Sequence, residues 1–317
     1  MRIDIRKNEA YAQGHIPGAL SFPFIHNPEK WREQLLDFSH PDWADFKAAF
    51  AAFFRAHPSN TAHIYCHTGT WRSHAFAALA QAMGIPVEIL PGGYRAFQEE
   101  RDALFHRAYP IVVLAGETGS GKTALLEELC RRGEQVIDLE KLAEHKGSAF
   151  GRLEHARPQL LNEQFKNDLA ETLRRVDSTR VIWVEDEGKS LGRAGIPQPF
   201  WQQMQRAPVI KLEVPLARRI ENILAQYGHI DQELIITAIH NITQRLGEAT
   251  PTAIAALRDR QMEATVRLVL RYYDQAYALQ MQGRDVIATL HVKDGDLERV
   301  SSALRKMCLD KVSRIQK

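Results

Sequence analysis

The stretch from Ile111 to Leu129, IVVLAGETGSGKTALLEEL, constrains the fold of this chain more than any other. An apolar run breaks into Gly116-Glu-Thr-Gly-Ser-Gly-Lys-Thr123 and resumes with leucines at helical spacing, so it reads as strand, loop and helix. The spacing G-x-x-x-x-G-K-S/T has a physical logic. Glycines let the backbone curl with its N–H groups inward, the lysine adds a mobile positive charge, and the following helix aims the positive end of its dipole at the same spot. Gly116, Thr118, Gly119, Ser120, Gly121, Lys122 and Thr123 are therefore the candidate phosphate-binding residues, for a di- or triphosphate. Thr123 would ligate Mg²⁺ if the reaction uses one, and no tightly bound cofactor is expected. The loop leaves open what happens to the phosphate.

A chain of 317 residues has room for about two domains, and two regimes are visible along it. Over residues 1–106, short apolar strands (HIYC, VEIL) alternate with Ala- and Phe-rich helical stretches such as FKAAFAAFF, which predicts a small α/β domain. Over 110–214, the runs IVVLAG, EQVIDLE, RVIWVED and PVIKLEVP read as buried strands separated by helices, hence a second, parallel sheet. Strands are expected to stop near Pro215, leaving 215–317 as a helical C-terminal extension containing PTAIAALRDRQMEATVRLVLRYYDQAYALQ.

Composition narrows the function class. At 44% hydrophobic and 25% charged residues the chain is that of a globular protein, with no apolar run of membrane-spanning length. The opening MRIDIRKNEA carries no apolar targeting segment, so a cytoplasmic location and no membrane partner are expected. Three cysteines are too few and too scattered for a disulfide framework or a zinc site. A net charge of +2 neither demands nor excludes nucleic acid. The tail carries Arg305, Lys306, Lys311, Arg314 and Lys317 against Asp310, a pattern that by itself reads first as a solvated helix face.

The first regime holds its own chemistry in HIYCHTGTWRSHAFAALAQ. Cys66 sits between a strand end and a helix start, where inward N–H groups and the helix dipole favour thiolate over thiol. Arg72 adds a positive charge that can close the loop around an oxyanion or a persulfide. Cys130 and Cys308 fall in helical stretches without such a loop and read as structural.

IDIR, then YAQGHIPGALSFP, the Cys66 loop and ILPGGYRAFQ resemble the rhodanese fold in order and spacing over the first third of the chain. Members carry sulfur on the loop cysteine as a persulfide. The chain begins almost at Asp4-x-Arg6, without the strand and helix that usually precede it; Ala10 stands where Glu is usual, and the loop is one residue longer than in common sulfurtransferases. Cys-x5-Arg is also the length found in rhodanese-like phosphatases, so the loop alone leaves a cysteine phosphatase open.

The second regime is more specific. GETGSGKTALLEELCRRGEQVIDLEKLAEHKGSAFG, WVEDEGKSLGRAGIP and YYDQAY resemble the bacterial tRNA 2-selenouridine synthase family, in which a rhodanese domain precedes a P-loop domain. Lys146 replaces the usual Arg, Gly188 replaces a Ser, and CHTGTWRS lacks the Arg-Gly-Gly usual after the cysteine. The resemblance implies modification of the wobble uridine in the anticodon region of tRNA. Geranyl diphosphate first alkylates the sulfur of 2-thiouridine, and selenium from selenophosphate then displaces the S-geranyl group. Cys66, with Arg72, would act in the exchange and hold selenium as a perselenide. A diphosphate leaving group needs stabilisation as negative charge builds on it, which the loop from Gly119 to Thr123 can supply without hydrolysing a nucleotide.

Further site candidates follow from strand ends, which face the ligand crevice in an open parallel sheet. Glu185 and Asp186 close one apolar strand, where such proteins place a Mg²⁺-binding or base carboxylate. Asp138, Glu140 and His145 follow another, and with Lys146 and Ser148 they belong to the run DLEKLAEHKGS, whose site role rests on the resemblance. Two other readings stay open: an ATP-dependent kinase or NTPase with a rhodanese-like module, and a tRNA-binding protein whose cysteine loop has decayed.

Overall fold

The apolar runs become strands of two parallel sheets, most fully buried at the sheet centres, with helices in most of the connections between them. A computed structural model describes residues 1–24, 43–59, 61–145, 161–293 and 295–315, without the side chains of 245 and 309–315. Lys146, Ser148 and the side chains of Lys311, Arg314 and Lys317 fall outside the described part. Two units result, Met1–Leu104 with Lys166–Glu171, and Phe105–Phe165 with Thr172–Lys317.

The first unit runs β1 (Arg2–Asp4), α1 (Asn8–Gln13), β2 (Ala19–Ser21), α2 (Ala44–Ala56), β3 (Ala62–Tyr65), α3 (Trp71–Ala82), β4 (Val87–Ile89) and α4 (Gly93–His106). Its sheet has the order β2-β1-β3-β4, every pair parallel. Ile3, Ile64, Phe50, Phe76 and Leu79 are fully buried against it. Asp4 and Arg6 are a buried clamp: Arg6 Nη2 donates to Asp4 Oδ2 and to the Gly14 carbonyl, each at 2.6 Å, and its guanidinium lies 3.8 Å from the Tyr94 ring centre. The clamp satisfies both charges inside the core and ties β1 to the turn before β2.

The second unit continues with β5 (Ile111–Gly116), α5 (Lys122–Arg131), β6 (Gln135–Ile137), α6 (Leu139–Leu142) and β7 (Ile182–Glu185); α7 (Asn162–Arg175) comes before β7 in sequence, and its middle, Lys166–Glu171, is counted in the first unit. A short antiparallel pair, β8 (Ser190–Leu191) and β9 (Ala194–Gly195), precedes α8 (Gln198–Arg206) and β10 (Val209–Glu213). Then come α9 (Leu216–Tyr227), α10 (Gln232–Asn241), α11 (Thr243–Leu246), α12 (Ala249–Arg258), α13 (Met262–Gln280), β11 (Val286–His291) and α14 (Leu297–Ile315). The sheet order is β11-β10-β5-β7-β6, all parallel. All six residues of the central β5 are buried, as its unbroken apolar sequence requires.

The expectation that strands stop near Pro215 is corrected here. VIATLH forms β11 and pairs with β10 at the sheet edge, with its side chains only partly covered, so its sequence lacks the dense apolar run of the central strands. The rest of 215–317 is helical, as expected, and its last helix packs into the core of the second unit. Val300, Leu304 and Cys308 of α14 are buried in one core with Leu125, Leu126 and Leu129 of α5. Among the described residues no helix is long and apolar enough to cross a membrane.

Candidate functional site

Each unit places a strand–loop–helix turn at the C-terminal end of an interior strand. In the first, β3 runs into Cys66, the loop His67–Thr70 and the N-terminus of α3. Gly69 (φ +68°) and Gly93 (φ +60°) make the fit possible: a Cβ on Gly93 would stand 2.4 Å from the Cys66 carbonyl oxygen. The chain after Pro91-Gly92 then closes over the loop, Tyr94 N–H donating to the Cys66 carbonyl at 2.9 Å and Arg95 N–H to that of His67 at 2.8 Å. Cys66 is only 1% exposed. Burial pushes its thiol pKa up, but hydrogen bonds from Ser73 and from the backbone amides of Thr68, Thr70 and Gly69 outweigh it, and the net direction is down. Arg72 is half-buried in the first turn of α3 and makes no ion pair with another described residue.

In the second unit β5 leads through Glu117–Gly121 into α5. Gly121 caps the helix in the left-handed region (φ +81°), and Gly119 (φ +82°) could not carry a Cβ, which would stand 2.7 Å from the Arg219 carbonyl oxygen. Lys122 Nζ donates to the Gly116 carbonyl at 2.7 Å and lies 3.5 Å from Glu185 Oε1, while Thr123 Oγ1 donates to Glu185 Oε2 at 3.4 Å. The lysine is thus folded back over the loop. Residues from α9 and α13 fasten the loop from outside. The buried Arg219 donates to the Thr118 carbonyl at 2.8 Å and to Glu117 at 2.6 Å, and pairs with Asp274; Asn222 Nδ2 donates to the Gly119 carbonyl at 2.8 Å.

Glu185 meets two other carboxylates. Oxygens of Glu140, Glu185 and Glu187 lie within 4.8 Å of one another, a donor set suited to a divalent cation. Burial, the largest influence, pushes the Glu185 pKa up, with Lys122 opposing and Asp138 adding; Glu187 is pushed well up by burial and then by Glu185 and Glu140. Glu187 was not among the sequence candidates, although a readable signal existed. In an extended chain alternate residues point the same way, so Glu185 and Glu187 share a side and Asp186 faces the other.

Asp186 does not join these three carboxylates; it forms a buried ion pair with Arg284, Nη1 to Oδ1 at 2.7 Å. Asp138 caps α6 by accepting from Lys141 N–H at 2.8 Å, and His145, mostly buried, donates its backbone N–H to the Glu140 carbonyl at 3.0 Å.

A cavity of about 600 Å³ brings most of these groups together. All seven phosphate-loop candidates line it, with Glu140, Glu185, Asp186 and Glu187. Much of the rest of its wall is apolar and comes from α9 and α13, including Ile223, Val266, Val269 and Leu270, with further residues from β10, α10 and α14. Asp138 and His145 are not in the wall. An anion-binding loop that opens onto an apolar chamber fits a ligand with a charged head and a hydrocarbon body.

Known proteins agree with this division. A family model described as the tRNA 2-selenouridine synthase AAA domain matches residues 109–310, and the rhodanese-like domain matches residues 2–100. Relatives named tRNA 2-selenouridine synthase include one from Cupriavidus necator, 30% identical over 96% of this chain and 93% of that one. Another, from Chromohalobacter salexigens, is 31% identical over 92% and 91%, and one from Salmonella typhi is 30% identical over 88% of each. Matched by that family model over most of its length and by these relatives nearly end to end, the chain belongs to the tRNA 2-selenouridine synthase family.

Proposed function

We propose that the chain converts 2-thiouridine at the tRNA wobble position to 2-selenouridine in two steps, each run by one of the two turns. The observation that supports this reading best is the apolar chamber beside the phosphate loop, whose volume of about 600 Å³ and mainly apolar lining suit a prenyl diphosphate. In the first step the thiouridine sulfur attacks C1 of geranyl diphosphate, the C1–O bond breaks, and its electron pair leaves with diphosphate. Lys122 and the amides at the start of α5 stabilise that developing charge. In the second step the selenium of selenophosphate attacks C2 of the S-geranyl nucleoside, the C2–S bond breaks and geranyl thiol leaves, and water then cleaves the Se–P bond to release phosphate, with the Cys66 thiolate acting in the exchange and Arg72 holding the anionic donor. Should Mg²⁺ take part, Glu140, Glu185, Glu187 and Thr123 would hold it, and it would supply further neutralisation of diphosphate. tRNA, geranyl diphosphate and selenophosphate are the partners of this scheme.

The test is to incubate the protein with 2-thiouridine tRNA and geranyl diphosphate, then add selenophosphate, and to quantify nucleosides by mass spectrometry. S-geranyl-2-thiouridine should form first and give way to 2-selenouridine. A second reading, an ATP-dependent kinase or NTPase, requires ATP rather than geranyl diphosphate to raise the melting temperature; a ligand at 100 times its dissociation constant adds about 2.7 kcal/mol.

A further inference from the structure

Tyr277, on α13, lines the cavity beside the phosphate loop, and its phenol oxygen is buried without a hydrogen-bond partner among the described residues. A buried hydroxyl left unpaired weakens the folded state, and native proteins seldom keep one without a reason. The surrounding charges indicate what would complete it. Tyr277 shares the cavity wall with the phosphate loop and the end of β7, and Asp186 and Glu117 act on the phenol as negative charges and Arg284 as a positive one. Asp186 is already engaged by Arg284 and Gln280, and Glu117 by Arg219. Burial first, then the two carboxylates, push the phenol pKa far up, which keeps the group a hydrogen-bond donor. Toward the N-terminus of the same helix, the lining passes through Tyr273 to Leu270, Val269 and Val266.

We infer that Tyr277 is a substrate-binding residue whose hydroxyl donates a hydrogen bond to a phosphate oxygen of the prenyl diphosphate. The inference rests on the functional reading above. The polar head of the ligand lies at the end of the cavity that holds Lys122 and the loop, and its hydrocarbon lies along the apolar face of α13. The oxygen supplies the acceptor that the fold withholds, so the unpaired hydroxyl weakens the free protein and strengthens the complex.

Tyr277→Phe tests this in the full chain. The ligand-free variant should melt at or above the temperature of the wild type, because no native hydrogen bond is lost. Geranyl diphosphate and inorganic diphosphate should each bind the variant about tenfold or more weakly, as expected for losing a donor to a charged oxygen. S-geranylation kcat/KM should fall by a similar factor. A lowered melting temperature of the ligand-free variant would show a structural partner for the hydroxyl and overturn the inference, as would unchanged affinity for both diphosphates in a variant that geranylates normally. If the wild type itself binds ATP but neither diphosphate, the functional reading falls and the inference with it.

Discussion

The Cys66 turn and the phosphate loop share one plan, a strand of a parallel sheet delivering its chain end to a helix N-terminus, yet they fill the cradle differently. In the first the cradle is occupied by the protein's own sulfur, held by Ser73 and three loop amides. In the second the cradle faces a cavity, and the protein contributes a folded-back lysine and a group of glutamates. In the proposed scheme one turn acts through a nucleophile and the other receives an anion. The difference lies in what the strand runs into: a buried cysteine, or a glycine on which a Cβ would stand 2.6 Å from Ser120 Oγ, so that the loop can fold close over the strand end.

The sharpest way to break this comparison is to disable each turn separately. Lys122→Ala should lower geranylation about a hundredfold or more by removing the cation that faces the leaving diphosphate. Cys66→Ser should abolish selenation and let S-geranyl-2-thiouridine accumulate, since a hydroxyl stays protonated near neutral pH. Equal loss of geranylation in both variants would show that the turns are not independent. Somewhat smaller effects are expected from the glycines that shape each cradle. Gly93→Ala and Gly119→Ala force a side chain into left-handed backbone, at about 1–3 kcal/mol from the backbone alone, besides the close contacts. Denaturant melts should show both losses, with Gly93→Ala affecting selenation first and Gly119→Ala geranylation first.

A titration sharpens the comparison further. Alkylation of Cys66 by a small reagent should reach half its maximal rate at a lower pH than that of a free cysteine thiol, because the thiolate is the reactive form and the loop favours it. Cys308, whose burial pushes its pKa up to about 11, should remain unmodified over the same range. Equal profiles would remove the claim that the Cys66 loop is special. The smallest effect belongs outside both turns. If the basic C-terminal helix touches tRNA, Lys306→Ala should weaken binding only a few-fold and reduce the slope of log affinity against log salt by about one. Deleting 305–317 would be a poorer test, because it removes buried Cys308 as well as charge.

Much of this was legible because central strands are buried on both faces and say so. β5 is an unbroken apolar run, β7 is apolar up to its closing Glu185, β10 is apolar but for Lys211 and its closing Glu213, and both turns announce themselves by residues that only a tight loop needs. β11 was not legible, since an edge strand reads as a weak alternation between charged neighbours and follows a long helical pattern. The partners of the phosphate loop were also hidden. Arg219, Asn222 and Asp274 act at positions set by how α9 and α13 pack, which no local spacing encodes. Asp186 and Glu187 were separable in principle by their opposite sides, but the choice between them depended on Arg284, far along the chain.

The pairing of β11 with β10 bears on how the molecule is made. These neighbouring strands, about 4.8 Å apart, bracket the whole segment 214–285, which includes the helices that wall the cavity. A ribosome therefore releases β10 long before its partner, and the sheet edge stays open while five helices are synthesised. Closing so long a loop carries an entropic penalty that grows slowly with length, and pairings distant in sequence form late. The ligand chamber is thus among the last parts of the protein to take shape, and a nascent chain halted before Val286 would have a complete phosphate loop without a secured hydrocarbon wall.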